Sequence, residues 1–392
     1  MRAKRLKYHN CTFPSHGRGR RFNPYSAHHI ANALTSPTFS QPRLPLLPVA
    51  GILIIETWRS EEISIVAKTR KLAKASRKAS AKTSTKIPSK FVAGNPPAEL
   101  TTILDFLRYA VTRFAAAKLA YGQGTFDPIE EATLLIAETL GLPVDGIAPF
   151  LPARITADER RRIFSLIEKR VRLRVPAAYL VNCAYLQGTR FYIDQRVIVP
   201  RSYLAELLYG DLFNGDEPLV DGNAVTTVLE LCTGSGCLAV LACDVFPNAR
   251  VDAVDISNEA LRVAAINVSE HDLQDRITLL KGDLFEPIGN KTYDIILANP
   301  PYVTTKAVAE LPAEFSHEPR LALEGGADGM DIVRRILAKA GRHLNEDGGL
   351  LCEIGRGRGV LERDNPDKDL LWLDTAQSSG EVFWVQAASL QG

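Results

Sequence analysis

A run of β-forming residues that ends in a glycine-rich turn constrains the fold of this chain more than any other feature. The run begins at Thr226, and the turn that follows consists of Cys232, Thr233, Gly234, Ser235 and Gly236. The apolar segment that follows, residues 238–242, predicts the start of a helix. A strand, a glycine turn and a helix N-terminus bring backbone N–H groups close to a ligand, and the helix dipole favours anionic groups there. The turn alone is weakly specific, because many doubly wound folds contain one.

Beyond the turn, predicted strands and helices alternate regularly. Strands are predicted at residues 226–232, 250–256, 277–282, 293–298, 348–354 and 381–386, and helices near 236–245, 258–270 and 330–343. This alternation is typical of a mostly parallel, doubly wound sheet, which binds ligands at the carboxyl ends of its strands. The predicted fold class is therefore α/β.

A second motif follows the apolar run at residues 293–298. It consists of Asn299, Pro300, Pro301 and Tyr302, and we call it the NPPY motif. Two consecutive prolines end a β-ladder and fix the backbone, so Asn299 and Tyr302 are expected to be rigidly presented at a strand end. Together the turn and this motif resemble S-adenosyl-L-methionine-dependent methyltransferases that act on planar amino groups.

The chemistry that needs the NPPY motif is alkylation of a poorly nucleophilic nitrogen, whose lone pair is delocalised. The Asn299 side-chain oxygen and the Pro300 carbonyl would accept the two N–H bonds of a carboxamide or exocyclic amine, and Tyr302 would pack on the planar group. In-line displacement then depends mainly on positioning. No strong general base is required beforehand, because the nitrogen proton becomes acidic as the new bond forms.

Two acidic residues stand where a nucleotide-like cofactor would need them. Asp255 ends a predicted strand about twenty residues after the glycine turn, the spacing at which a carboxylate reaches a pair of ribose hydroxyls. The alternative for Asp255 is an N-cap of the helix that begins near Asn258. Asp283 suits the adenine amino group, with Leu284 and Phe285 beside the ring, and a cap or turn role fits Asp283 nearly as well.

Three other functions share part of this pattern. A NAD-binding protein would use the glycine turn and Asp255, but the turn lacks the third glycine of the dinucleotide fingerprint and the NPPY motif would have no purpose. An adenine-amino nucleic-acid methyltransferase shares the NPPY motif, but it would usually need a basic recognition surface. A non-catalytic ribosome-assembly binder could keep the fold, but the intact Asn299, Asp255 and glycine turn argue against that role.

Charge is distributed unevenly along the 392 residues. The net charge is +2, but residues 1–98 carry 18 basic and 3 acidic side chains, which leaves residues 99–392 at −13. An acidic body disfavours direct binding to nucleic-acid phosphates and suits a basic protein substrate. Six cysteines lack the paired spacing of a zinc site or a disulfide framework, and the longest apolar run, residues 46–55, is too short to span a bilayer.

Residues 1–98 form a basic leader that lacks a core-forming pattern. The sequence predicts that this leader is disordered or is an upstream region included by a misplaced start. The functional alternatives are an organelle transit peptide and an arm that touches RNA. We therefore expect a cytoplasmic protein, with an organellar location as the alternative if the leader is a transit peptide.

Between the leader and the sheet, hydrophobic periodicity predicts a small helical domain at residues 99–177. Its helices are predicted at residues 99–118, 128–140 and 156–171. Residues 178–200 predict a β-hairpin connector with strands at 184–188 and 191–193, and the methyltransferase domain follows at 201–392. Ser202 is predicted to cap a helix through Leu208. Pro200 and Arg201 either pack between the domains or line the cofactor mouth.

Several stretches resemble the HemK/PrmB family, which methylates the side-chain amide of a glutamine in translation proteins. They are residues 121–125, 199–202, 231–237, 251–257, 299–303 and 317–325. The Tyr-Gly-Gln-Gly-Thr stretch at 121–125 and Cys232, where relatives acting on release factors usually carry glycine, resemble the PrmB branch. That branch modifies a glutamine of the third large-subunit ribosomal protein, and a release factor is the alternative substrate. The resemblance covers about residues 99–392 and implies a seven-stranded class I methyltransferase sheet.

The resemblance also implies roles for individual residues. Asn299, Pro300, Pro301 and Tyr302 would hold the glutamine, and the cofactor-binding positions would be Glu230, Cys232, Thr233, Gly234, Ser235, Gly236, Asp255, Ile256, Asp283, Leu284 and Asn299. The helical domain would read the protein around the target glutamine, and no metal is expected. The sequence departs from the family between Gly355 and Leu370. This departure leaves the last helix in doubt, but it is not expected to affect any cofactor or glutamine contact.

Overall fold

The computed structural model describes residue 91 and residues 93–391, so the predicted leader up to residue 90 lies outside the described residues. The described part begins with the helices α1 (Ile103–Ala116), α2 (Pro128–Leu140) and α3 (Ala157–Leu173), as predicted. Each helix begins where a side chain satisfies first-turn N–H groups that lack an intrahelical partner: Thr102, Asp127 and Thr156 are the caps. α1 starts later than predicted because Thr102, rather than a residue near position 99, is its N-cap. The three helices enclose a core of their own, which includes Phe106, Phe114, Leu135 and Ile163.

The predicted hairpin connector is present. A short helix α4 (Ala177–Val181) precedes the antiparallel strands β1 (Ala184–Leu186) and β2 (Thr189–Phe191). The two turn residues, Gln187 and Gly188, both have a positive φ, of 50° and 74°, as a tight hairpin turn requires. The helices α5 (Tyr203–Leu208) and α6 (Asp211–Asn214) follow, and Ser202 caps α5 as predicted.

A seven-stranded sheet makes up the rest of the structure. Its elements are β3 (Thr227–Leu231), α7 (Cys237–Val245), β4 (Arg250–Asp255), α8 (Asn258–Glu270), β5 (Ile277–Lys281), β6 (Tyr293–Ala298), α9 (Thr305–Glu310), α10 (Asp331–Ala340), β7 (Leu344–Glu353), α11 (Arg358–Asp364), β8 (Leu371–Asp374), β9 (Ser379–Gln386) and α12 (Ala387–Leu390). The strand order is β5-β4-β3-β6-β7-β9-β8. The first five strands are parallel, and β9 is antiparallel to both β7 and β8. This order confirms the predicted α/β class and the seven-stranded sheet.

Alternate residues of the central strands face opposite layers of helices. Val228 and Ile295 belong to one core with Leu238 of α7, whereas Leu229 and Ile296 belong to another with residues of α10. Because both faces are covered, the strands are apolar throughout, as expected for a buried parallel sheet. No helix within residue 91 and residues 93–391 is long and apolar enough to cross a membrane.

The second half of the sheet differs from the prediction in three places, and it contains the helix that the sequence left in doubt. β7 begins at Leu344 instead of 348, because polar residues 345–347 continue the strand although they suggest a turn. β8 was not predicted, since it is only four residues long. α10 ends at Ala340, and residues 341–343 form a 3-10 turn. The helix left in doubt by the unusual tail is present as α11.

Candidate active site

Four of the predicted site segments follow neighbouring strands at one edge of the sheet. Leu231 of β3 lies opposite Val254 of β4 on one side and Ala298 of β6 on the other. Because these strands are parallel, the glycine turn after β3, the Asp255 segment at the end of β4 and the NPPY motif after β6 lie at the same edge. Asp283 follows β5, which pairs with β4. The predicted residues are thus brought together at the carboxyl ends of the strands, where doubly wound sheets bind ligands.

The glycine turn has the backbone that its glycines predict. Cys232, Gly234 and Gly236 have positive φ values of 60°, 55° and 77°. Gly236 caps α7, and a Cβ built on it would lie 3.1 Å from the Cβ of Ala264 in α8, so close helix packing requires glycine there. A Cβ built on Gly234 meets no heavy atom within 4 Å. The turn therefore has open space next to Gly234, whereas Gly236 packs closely against α8.

Glu230 lies beneath the turn rather than at its surface. Its buried carboxylate accepts a 2.5 Å hydrogen bond from the Thr233 hydroxyl, and burial raises the pKa of Glu230 to about 8. Thr233 is itself buried, and its backbone N–H donates to the carbonyl of Val254 at 3.0 Å. Ser235 is also buried, and its carbonyl accepts a 2.7 Å bond from the Asn267 side chain. Hydrogen bonds under the turn thus fix its shape.

Asp255 connects the end of β4 to the glycine turn. One carboxylate oxygen accepts the Gly234 N–H at 2.8 Å and the other accepts the Ser257 N–H at 2.7 Å. Burial raises the pKa of Asp255, although both backbone bonds oppose that shift. The N-cap alternative for Asp255 is wrong, because the side chain that caps α8 is Ser257. Ile256, by contrast, is 51 % exposed, so an apolar surface lies next to this carboxylate.

The segment after β5 is engaged in packing and in an ion pair. Asp283 accepts a 2.7 Å bond from the Arg335 guanidinium, and its backbone carbonyl accepts the Glu286 N–H. Leu284 is buried with a φ of 55°. Phe285 is also buried and stacks on His343 with ring centroids 4.8 Å apart, so its ring belongs to the core rather than to the open strand edge.

The two polar side chains of the NPPY motif differ in their hydrogen bonding: the Asn299 amide is unpaired, and the Tyr302 hydroxyl is bound. The half-buried Asn299 side chain makes no hydrogen bond with any described residue, and Pro300 next to it is buried. The Tyr302 hydroxyl donates a 2.8 Å bond to the buried Glu353. The other oxygen of Glu353 accepts from the Ser202 hydroxyl at 2.7 Å. Burial raises the pKa of Glu353 and raises that of Tyr302 well above its usual range, so the phenol is a donor and not a base.

The unusual tail touches this motif, a contact that the sequence did not predict. Gly355 has a φ of 54°, and a Cβ built on it would lie 2.7 Å from Cε2 and 2.9 Å from Cδ2 of Tyr302. The backbone of Gly355 therefore lies directly against the Tyr302 ring. Together with Glu353, it forms one wall of the site.

Similar proteins identify the family. The uL3 glutamine methyltransferase of Bradyrhizobium diazoefficiens is 55 % identical over 296 residues, which are 74 % of this chain and 92 % of that protein. The Burkholderia pseudomallei protein of the same name is 50 % identical over 302 residues, 75 % of this chain and 97 % of its own length. This chain belongs to the ribosomal protein uL3 glutamine methyltransferase family. Residues 218–326, which include the turn and the NPPY motif, also match the family described as methyltransferase small domain. A methyltransferase of known structure from Pyrococcus furiosus covers 59 % of this chain and 99 % of its own, at 15 % identity and a TM-score of 0.38.

Two residues that support the site of this uL3 glutamine methyltransferase family member were not predicted from the sequence. They are Glu353, which holds Tyr302, and Asn267, which holds the glycine turn. Glu353 ends an apolar strand, and Asn267 lies in the last turn of α8, so neither position carries a local signal. Asn267 is fully buried and bonds to Ser235 and, through its side-chain oxygen, to the Tyr192 N–H at 2.7 Å. It thereby joins the glycine turn to the hairpin connector.

Arg201 is held by packing between segments. Its guanidinium makes a two-point ion pair with Glu318, at 2.7 and 2.8 Å, and also donates to the carbonyl of Val199. Glu318 is nearly inaccessible and additionally accepts the Val199 N–H at 3.0 Å. The packing alternative for Arg201 therefore fits its contacts. Glu318 stands in one of the family-like stretches, at 317–325, which was the only sequence signal for it.

Proposed function

We propose that this protein transfers a methyl group from S-adenosyl-L-methionine to the side-chain amide nitrogen of a glutamine in ribosomal protein uL3. The observation that carries the proposal is the unpaired Asn299 amide at the ligand-binding edge of the sheet, in one motif with a buried proline and a tyrosine whose hydroxyl is fixed by Glu353. Membership of the uL3 glutamine methyltransferase family supports the choice of substrate.

The residues around the glycine turn fit S-adenosyl-L-methionine, which would supply a methyl group on a positively charged sulfur. Open space at Gly234 leaves room for the cofactor against the turn. Asp255 would accept the ribose hydroxyls with the lone pairs that its two backbone bonds leave free, and exposed Ile256 would cover one face of the adenine. Leu284 and Asp283 would border the adenine from β5, with Asp283 oriented by Arg335. The remaining turn residues would act mainly through their backbone.

The acceptor glutamine would be bound by the NPPY motif. The Asn299 side-chain oxygen and the Pro300 carbonyl would each accept one N–H of the glutamine amide, which points the nitrogen at the methyl group. The Tyr302 ring would pack on the amide plane, and its hydroxyl, held by Glu353, keeps the ring in place. Holding the two reacting groups in line accounts for most of the rate. Because the amide proton becomes acidic only as the C–N bond forms, water can take it up.

The charge of the chain supports a basic protein substrate. Residues 99–392 carry an excess of 13 acidic side chains, and their field acts over about 8–10 Å at physiological salt. This field attracts a ribosomal protein and disfavours free nucleic acid. The helical region at residues 99–177, our predicted recognition domain, is the part available to read the sequence around the glutamine.

The test offers the enzyme free uL3, a free release factor and adenine-containing DNA under identical conditions, with Asn299→Ala as the inactive control. We expect mass spectrometry to show that one glutamine of uL3 gains a single methyl group. Preferential methylation of the release factor would redirect the substrate assignment. Preferential methylation of DNA would show that the protein methylates the amino group of adenine instead of a glutamine side chain.

A further inference from the structure

The NPPY motif lies at the base of a long loop. This loop, residues 304–324, which we call the excursion loop, leaves the sheet directly after the motif and returns beside it. Its base is closed by two backbone bonds, from Val303 N–H to the Leu323 carbonyl at 2.9 Å and from Gly325 N–H to the Val303 carbonyl at 2.8 Å. A Cβ built on Gly325 would lie 2.6 Å from the Pro301 carbonyl oxygen and 2.8 Å from Cα of Tyr302. Movement of the loop base would therefore move the motif.

The middle of the excursion loop is anchored on the helical region by Glu314, whose side chain is fully buried. One oxygen of its carboxylate accepts the Ala120 N–H at 3.0 Å and pairs with the Arg174 guanidinium at 2.8 Å. The same oxygen lies 3.5 Å from Arg170, which itself pairs with Glu131 of α2 at 3.0 Å. A charge on the loop is thus inserted into an ionic cluster formed by α2, α3 and the segment after α1.

Two neighbouring residues strengthen this attachment. The His317 ring nitrogen Nε2 lies 3.0 Å from the Leu173 carbonyl at the end of α3, and since a carbonyl only accepts, that nitrogen is the donor. Glu318 forms the two-point ion pair with Arg201 of the connector. Within five residues, the loop is therefore bound both to the helical region and to the connector.

The ionic cluster around Glu314 is not expected to add much to the free energy of unfolding. Burying charged groups has a desolvation cost, and apolar replacements of buried ion pairs are often neutral or stabilising. The second carboxylate oxygens of Glu314 and Glu131, and the Tyr121 hydroxyl, are buried without a hydrogen-bond partner among the described residues. What the cluster supplies is a defined geometry, because a buried carboxylate between two guanidinium groups tolerates few positions.

We propose that Glu314 is a positioning residue for methyl transfer, which couples the helical region to the NPPY motif through the excursion loop. The proposal rests on the proposed function for its catalytic readout. Removing the charge of Glu314 loosens the loop from α3, the loop base at Val303 and Gly325 shifts, and the NPPY motif loses its alignment with the methyl donor. A displacement of about 1 Å is enough to lower turnover about a hundredfold.

The experiment compares Glu314→Gln with Glu168→Gln. Glutamine keeps the acceptor oxygen for the Ala120 N–H but removes the charge. Glu168 is the matched control, because it is also buried and pairs with Arg113 at 3.1 Å and Arg172 at 2.9 Å, yet forms no hydrogen bond or ion pair with the described residues of the excursion loop. We expect kcat on uL3 to fall about 10- to 100-fold in Glu314→Gln, with cofactor affinity unchanged. In Glu168→Gln we expect kcat to stay near the wild-type value.

Amide hydrogen exchange supplies a readout that needs no substrate. In Glu314→Gln the N–H groups of Val303 and Gly325 should exchange faster than in the wild type, whereas Glu168→Gln should leave them unchanged. If Glu314→Gln does not fold, Arg174→Gln removes the same ion pair from its partly exposed side.

Wild-type kcat and wild-type exchange in the Glu314 variant would overturn the proposal, as would an equal kcat loss in Glu168→Gln. If the wild-type enzyme does not methylate uL3, the proposed function fails, and the exchange comparison still decides whether Glu314 controls the motif.

Discussion

Replacing Gly355 by alanine would press a methyl group into the Tyr302 ring. The added Cβ would lie 2.7 Å from Cε2, well inside the separation of about 3.5–4.0 Å that two carbon atoms prefer. The residue would also have to keep a φ of 54°, a conformation that costs a non-glycine residue about 1–3 kcal/mol. The ring has little freedom to withdraw, since its hydroxyl is bonded to Glu353 at 2.8 Å.

The expected magnitude follows from these contacts. If the ring moves, the buried Glu353 loses one of its donors, which costs about another 1–3 kcal/mol. We therefore expect Gly355→Ala to lower the free energy of unfolding by about 2–6 kcal/mol and Tm by roughly 3–10 °C. Turnover should fall about 10- to 100-fold, because the ring that we propose packs on the acceptor amide would be displaced. Cofactor affinity should change little, since no glycine-turn residue is among the atoms nearest to the added methyl group.

Gly359→Ala is the matched control in the same tail. Gly359 lies in α11, and a Cβ built on it meets no heavy atom within 4 Å. Alanine in a helix interior is favoured over glycine by about 0.5–1 kcal/mol, so this variant should be as stable as the wild type or slightly more stable. The assays are thermal unfolding, methyl transfer and calorimetric cofactor binding. Wild-type Tm and turnover in Gly355→Ala would refute the role of Gly355 as a wall for Tyr302.

Three further predictions concern the strand edge. Asn299→Ala should keep cofactor affinity within about tenfold but lower turnover by about a hundredfold or more, because the acceptor amide would lose its proposed orienting partner; near-normal methyl transfer would exclude that role. Asp255→Ala should weaken cofactor binding by about 1.5–3 kcal/mol in calorimetry, and unchanged affinity would mean that Asp255 only supports the turn. In the folded state burial raises the pKa of Glu230 to about 8, whereas in the unfolded chain this carboxyl group has its usual pKa. Between these two pH values the unfolded chain loses the proton and the folded protein keeps it, so the folded state becomes less stable as pH rises toward 8. Glu230→Gln should therefore raise Tm more at pH 8 than at pH 5, and an equal effect at both pH values would contradict burial of an ionisable carboxylate.

Local sequence patterns predicted the order and type of most elements, because apolar periodicity, glycines and prolines act over a few residues. The same patterns placed Asp255 and Asn299 at strand ends, and parallel topology brought them together. They did not reveal β8, whose four residues are too few for a periodic signal.

The partners of the site residues were beyond such reasoning. Glu314 bonds to the backbone of Ala120 across 194 positions, and Glu353 bonds to Ser202 across 151. The sequence does not distinguish a buried glutamate from an exposed one, because burial depends on tertiary packing. For that reason the sequence showed that the tail after β7 is unusual, but it did not show that Gly355 contacts Tyr302.

The wall formed by Glu353 and Gly355 has a consequence for how the enzyme is made. Tyr302 is synthesised about fifty residues before the groups that hold it, and domains generally fold as units once enough of the chain has emerged from the ribosome. A nascent chain that ends before β7 has the NPPY motif but no partner for the phenol, and β7 itself pairs with β9 near the end of the chain. Competence to methylate a ribosomal protein is therefore acquired only after β7 has been synthesised. A shortened transcript or a protease that removes β7 and β9 would yield a protein that keeps the NPPY sequence but lacks the Glu353 and Gly355 wall beside Tyr302.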